Sequence, residues 1–252
     1  MHVIRVSSYI ILKVKKAGIS NNKPSHNFYG KRLGKKLRNR QREYLEVDLK
    51  QRNILNFLRE TPEGTKWLDL DTAFTGKTAV WLEIGFGSGE HLIHQAKANP
   101  NVGLIGCEVY LNGVASLLGK LREEDLDNIL LYQDDIRSLF PYFTDQAIER
   151  VFVLYPDPWP KKKHHRRRFV TPEHLIPLAK IMKPGARLRI ATDISDYARQ
   201  AVEQLNLNPH FEWEAEAPSD WKLPWKDWQS TRYEKKALLN SRVPIYLTFR
   251  RV

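Results

Sequence analysis

The sequence predicts an α/β protein built on a doubly wound, mostly parallel sheet, and two observations carry that expectation. From Gly76 onward, short apolar runs alternate with amphipathic stretches of helical length. Three glycines, Gly85, Gly87 and Gly89, punctuate the point where the first of these strands would turn into its helix. Strands alternating with helices imply a parallel sheet covered on both faces. Right-handed crossovers then wind the sheet doubly and put ligands at the carboxyl ends of its strands.

Length and composition bound what such a sheet can serve. The 252 residues, 42% of them apolar, suffice for one well-buried core and one main domain. A net charge of +12 favours a polyanionic partner such as RNA, DNA or an anionic membrane surface. The single cysteine, Cys107, excludes an internal disulfide framework and, lying in an apolar run, reads as core. Among the first twenty residues the longest apolar run is Tyr9-Ile-Ile-Leu12, too short for a signal-peptide core or a membrane span. A soluble, cytoplasmic protein is expected, with residues 1–20 a dispensable extension; monomer and homodimer stay open.

Residues 23–42 hold eight Lys or Arg and no acid. A lone charge run is usually a solvated tail, but a second basic cluster far downstream makes a shared polyanion the better account. Residues 1–42 are therefore assigned as a basic amino-terminal arm and 43–252 as the folded domain. Leu45, Leu49, Ile54, Leu55 and Leu58 recur at helical spacing and predict an amphipathic helix over 43–58.

Seven strands are expected, at residues 79–84, 102–109, 129–133, 150–155, 187–192, 211–215 and 245–250. Helices are expected between them at 90–98, 111–124, 172–182, 194–205 and 231–239. The first strand carries Glu83 among apolar neighbours, where an unpaired charge is costly. Its turn is spaced G-x-G-x-G, not the G-x-G-x-x-G of a dinucleotide pyrophosphate site. His91 and His94 share a face of the next helix and, with no third ligand nearby, read as a surface pair rather than a metal site. Glu108 closes the second strand, where an acid can accept from both ribose hydroxyls of a nucleoside. Asp134 and Asp135 close the third. One such acid is more often a loop carboxylate; three at successive strand ends mark a ligand edge.

The fourth strand runs into Tyr155-Pro-Asp-Pro-Trp-Pro160. Prolines on both sides restrict the backbone at Asp157, so its carboxylate is held in one direction beside the aromatic face of Trp159. From Lys161 to Arg168 every residue is basic or histidine, the pattern of phosphate contacts. His164 and His165 are adjacent, a poor spacing for a metal, and no Cys/His cluster suggests zinc. Asp193 closes the fifth strand. Trp213, Trp221, Trp225 and Trp228 lie among lysines and read mostly as loop packing. Thr231 and Glu234 match a capping box at the start of the last helix.

An acid followed by G-x-G-x-G resembles the first motif of class I S-adenosylmethionine-dependent methyltransferases. That resemblance implies that Glu83, Gly85, Gly87 and Gly89 hold the methionine part of S-adenosylmethionine. It assigns Glu108 to the ribose and Asp135 to the adenine amino group, with Asp134 competing. More specifically, Leu82-Glu-Ile-Gly-Phe-Gly-Ser-Gly89, Pro156-Asp-Pro-Trp-Pro-Lys161, Ala191-Thr-Asp193 and Thr231-Arg-Tyr-Glu234 resemble the bacterial tRNA (guanine-N7-)-methyltransferase family. The likeness covers most of the chain from Tyr29 onward. It implies a seven-stranded Rossmann-like sheet with the last strand antiparallel, and a methyltransferase domain at 43–252. It also implies that Asp157, Lys161, Asp193, Thr231, Arg232, Tyr233 and Glu234 handle the target guanosine, with Asp157 catalytic. Lys163, His164, His165, Arg166, Arg167 and Arg168 would contact tRNA. Pro160 departs from the family, which often carries His there. The rival readings are an amino-methyltransferase, which would carry an acid-Pro-Pro-aromatic turn, and a non-catalytic RNA-binding module. Cytosine-C5 chemistry is disfavoured because Cys107 lies within a strand.

Overall fold

The computed structural model describes residues 29–252, so the expectations for residues 1–20 and for the start of the basic arm lie outside the described residues. The strands are β1 Leu58–Glu60, β2 Lys66–Leu68, β3 Ala79–Ile84, β4 Val102–Cys107, β5 Ile129–Tyr132, β6 Ile148–Leu154, β7 Met182–Thr192, β8 Phe211–Trp213 and β9 Ile245–Arg251. The α-helices are α1 Asn39–Glu46, α2 Asp48–Gln51, α3 Leu70–Ala73, α4 Glu90–Ala98, α5 Leu111–Leu121, α6 Pro172–Ile181, α7 Ser195–Asn206, α8 Ser219–Lys222 and α9 Arg232–Leu239.

Seven strands form one sheet in the order β5-β4-β3-β6-β7-β9-β8, and β1 and β2 form a separate hairpin. Neighbours from β5 to β7 are parallel. The last strand, β9, runs antiparallel to both β7 and β8. This is the seven-stranded, doubly wound arrangement expected. Alternation along each strand splits the core into two layers. Leu82, Ile105, Val151 and Ile190 enter one, while Trp81, Leu104, Phe152 and Ala191 enter the other. Register aligns Ile84 with Cys107 and Val153, and Cys107 with Tyr132, so four strands end in one row.

The single helix expected over 43–58 is broken into α1, α2 and a 3-10 turn at Ile54–Phe57, followed by β1. The Asn53 side chain accepts from Leu55 N–H, a local bond that competes with helix continuation. Leu131 N–H donates to the Arg52 carbonyl, so this segment covers the edge of β5. Leu45 and Leu49 do lie on helical turns, but from Asn53 onward the apolar residues cover a sheet edge instead of continuing the helix.

The basic arm is continuous with the fold where it is described. Gly34 N–H donates to Asn112 on α5, the Asn112 amide donates back to the Lys35 carbonyl, and Arg32 pairs with Asp134. No described helix is long and apolar enough to cross a membrane, and no cluster of three His, Cys, Asp or Glu among the described residues could hold a metal.

Candidate active site

The aligned strand ends open into a cavity of about 510 Å³, within the ordinary range for small-molecule sites. Gly85, Glu108, Asp134, Asp135 and Asp157 all line it. At one end the turn after β3 places Gly87 at φ 60°, a left-handed conformation that glycine adopts without strain. A methyl group on Gly87 would lie 3.1 Å from the Tyr233 ring, and one on Gly113 would lie 2.2 Å from the Gly87 carbonyl oxygen. A side chain is therefore excluded at Gly113 by the backbone oxygen and strained at Gly87 by its left-handed φ.

Glu108 accepts from Gly87 N–H at 2.7 Å through Oε2 and from Tyr110 N–H at 2.9 Å through Oε1. Burial raises its carboxyl above the usual range, and the backbone N–H groups oppose that shift. A carboxylate has about four acceptor sites, so these backbone donors leave acceptor capacity for a ribose hydroxyl. Asp135 is engaged by the Arg137 guanidinium and backbone N–H, while Asp134 takes Arg32 at 2.7 Å and Asp135 N–H at 2.8 Å. Both acids face the cavity with cations beside them. The donor set suits an adenosyl group carrying a positive centre: a diol acceptor, further acids, and apolar walls from Val109 and Ile136.

Asp157 is different in kind. Among the described residues none donates a hydrogen bond or ion pair to its carboxylate, and desolvation raises its pKa above the ordinary aspartate value. The turn that presents it is bracketed by two residues in the left-handed region, Tyr155 at φ 49° and Trp159 at φ 42°. Such conformations persist only where surroundings enforce them, and they cluster at functional sites. Tyr155 N–H is held by the Ala191 carbonyl at 2.7 Å, and Arg168 Nε donates to the Pro158 carbonyl at 2.8 Å.

Several expected site residues sit elsewhere. Glu83 does not line the cavity; it is 3% exposed, and its Oε2 lies 2.7 Å from His91 Nδ1. His91 is thus no surface residue: it is buried beneath the glycine turn, with Nε2 taking the Gln95 amide at 3.2 Å. A buried carboxylate inside a strand implied a partner, and the helix one turn beyond supplies it. Arg168 corrects the tRNA-contact expectation. It is 1% exposed and donates to Asp196 and Gln200 as well as to Pro158, so it clamps the Pro-Asp-Pro turn onto α7.

Of the four residues Thr231 to Glu234, Arg232 and Tyr233 line the cavity. The other two correct the expectation that all four face the target. Thr231 is buried and caps α9 by accepting from Glu234 N–H, and Glu234 is 4% exposed with its carboxylate turned inward. Only half of the capping box forms. Asp193 lies beside Tyr155 in an ion pair of 2.6 Å with Arg242 and does not line the cavity; nor does Lys161, which is exposed.

The basic run forms a 3-10 helix, Lys162–Arg167, with Lys163 and Arg166 exposed and His164 and His165 half-buried. Arg167 stacks between the arm and the turn, its guanidinium 4.3 Å from the Tyr29 ring centre and 4.9 Å from that of Trp159. Tyr29 and Lys31 therefore reach the cavity rim, as do Arg137, Phe169 and His174, none of which the sequence singled out for the site. Burial lowers the His174 pKa. Arg137, two residues beyond Asp135, was the one with a visible signal.

Comparison with known proteins agrees with this geometry. Residues 77–246 match a family model described as "Putative methyltransferase". A tRNA (guanine-N(7)-)-methyltransferase of Ruegeria pomeroyi is 54% identical over 239 residues, covering 92% of this chain and 97% of the relative. One of Rhodospirillum rubrum is 43% identical over 225 residues, covering 89% and 87%. Among solved structures, an antibiotic-related methyltransferase superposes with a TM-score of 0.52 at 16% identity, over 73% of this chain and 93% of that one; at that identity it speaks for the fold alone. By sequence over nearly its whole length, the chain belongs to the tRNA (guanine-N(7)-)-methyltransferase family.

Proposed function

We propose that the protein transfers the methyl group of S-adenosylmethionine to N7 of a guanosine in tRNA, in the variable loop, forming 7-methylguanosine. The observation that carries this is Asp157, a carboxylate without a hydrogen-bond donor among the described residues, presented on an enforced turn and opening into the same cavity as the diol acceptor Glu108. The names of the relatives supply the base and the RNA.

Glu108 would hold the ribose, the turn from Gly85 to Gly89 the methionine part, and Asp135 or Asp134 the adenine amino group. Glu83 then acts through His91, beneath the turn. The bound cofactor supplies an electrophilic methyl on a sulfonium. Guanine N7 presents a lone pair, so no proton leaves it before attack, and catalysis is alignment and electrostatics. Asp157 orients the base through its amino edge and stabilises the positive charge that the purine gains. Arg232 and Tyr233 flank the base, with Lys161 and Asp193 in support. Lys163, His164, His165, Arg166 and Arg167, together with the arm within residues 1–42, hold the phosphates beside the methyltransferase domain of 43–252. The reading needs no metal.

Methyl transfer from labelled cofactor to bulk tRNA, followed by nucleoside analysis, is expected to yield 7-methylguanosine. Label in 1-methylguanosine alone, or no label in RNA, refutes the reading.

A further inference from the structure

Glu234 carries a carboxylate with nowhere to go but inward. It accepts from Trp228 Nε1 at 3.0 Å on both oxygens, from the Tyr246 hydroxyl, and from the Tyr155 hydroxyl at 3.4 Å. These donors come from three places: the segment before α9, strand β9, and the end of β6. At 4% exposure no face of the carboxylate is left for a base in the cavity. Burial raises the pKa of both phenols, so each stays a donor throughout the working range.

What the hub holds is the point where the active-site turn begins. Tyr155 precedes Pro156 and Asp157 and sits at φ 49°, a left-handed conformation that a non-glycine residue keeps only where its surroundings enforce it. Its backbone is tied to β7 through Ala191, and its hydroxyl reaches Glu234 in a long contact of 3.4 Å and lies beside the Tyr246 hydroxyl, which itself donates to Glu234. With φ set at Tyr155 and proline next, little freedom is left in where Asp157 points. Tyr233, adjacent to Glu234 on α9, meanwhile rests against Gly87 in the cofactor turn. Trp228 lies over His91, with ring centres 5.3 Å apart, and His91 holds Glu83. One buried carboxylate thus ties the target turn to the cofactor turn.

We infer that Glu234 is a positioning residue which fixes the Asp157 turn through Tyr155 and does not touch the target guanosine. This rests on the reading of Asp157 as the group that orients the base. A misplacement of a reacting group by about an ångström costs on the order of a hundredfold in rate, and binding of the RNA backbone should hardly register it.

The test compares wild type, Glu234→Gln, Tyr155→Phe and the double variant. Methyl-transfer kinetics on tRNA are measured alongside calorimetric cofactor binding and thermal melting. Wild-type formation of 7-methylguanosine is checked first, so that failure of the functional reading is recognised before the variants are compared. Glu234→Gln is expected to lower kcat by about tenfold or more while KM for tRNA and Kd for cofactor stay within about twofold, the signature of an interaction expressed in the transition state. Tyr155→Phe, which deletes one oxygen and keeps the buried ring, is expected to reproduce much of that loss and carries the test if Glu234→Gln fails to fold. The double variant should be no worse than the poorer single one, because the two act through one link. A raised KM with kcat retained in Glu234→Gln, or a silent Tyr155→Phe, overturns the inference.

Discussion

Asp157 is held under two opposed demands. Desolvation raises its pKa, so the folded chain keeps that proton to a higher pH than the unfolded chain does. Between the two values the folded state binds more protons, and stability falls as pH rises through that interval. Asp157→Asn is therefore expected to raise the melting temperature at neutral pH slightly, the side chain being open to solvent, with the difference vanishing in acid. The same variant should lower kcat by on the order of a hundredfold. In wild type, activity should fall on the acid side at a pH above the ordinary aspartate value of about 3.9, and a pH-rate profile of the residual Asn activity should lack that limb. Gly87→Ala tests the other end of the cavity. A Cβ at φ 60° facing the Tyr233 ring at 3.1 Å should weaken calorimetric cofactor binding by about tenfold.

At the scale of elements, the Pro-Asp-Pro-Trp turn and the basic run are one unit, because Arg168 reaches back from the end of the run to the Pro158 carbonyl. Arg168→Leu is expected to cost about 2 kcal/mol in urea unfolding, leaving acceptors on α7 and the turn unpaired. Lys163→Ala should leave stability unchanged and weaken tRNA binding. The two residues are indistinguishable in a run of eight basic or histidine residues, and this marks where sequence stops being legible. Strand ends were readable, and with them the positions of Glu108, Asp135 and Asp157, because the continuous apolar runs of a sheet buried on both faces break where the sheet stops. The partners of Glu83, Glu234 and Arg168 were not. Those bonds are settled by which helix lies over which strand, and neither periodicity nor charge count records that. The broken helix over 43–58 failed for the same reason, since the edge of β5 captured it.

For the whole molecule, a net charge of +12 with exposed lysines on both the arm and the basic run predicts binding dominated by phosphate contacts. With about six such contacts, affinity for tRNA should fall on the order of 10³-fold between roughly 50 and 200 mM salt. Anisotropy titrations should show the slope of log K against log salt reduced by Lys161→Ala and Lys163→Ala but not by Arg168→Leu. The order of the sheet has a different consequence, in time rather than space. β8 is made before β9, yet β9 lies between β8 and β7. As the chain leaves the ribosome, β8 therefore has no neighbour to pair with and Glu234 lacks the Tyr246 hydroxyl. The arrival of residues 245–251 therefore completes both the sheet and the set of donors on Glu234.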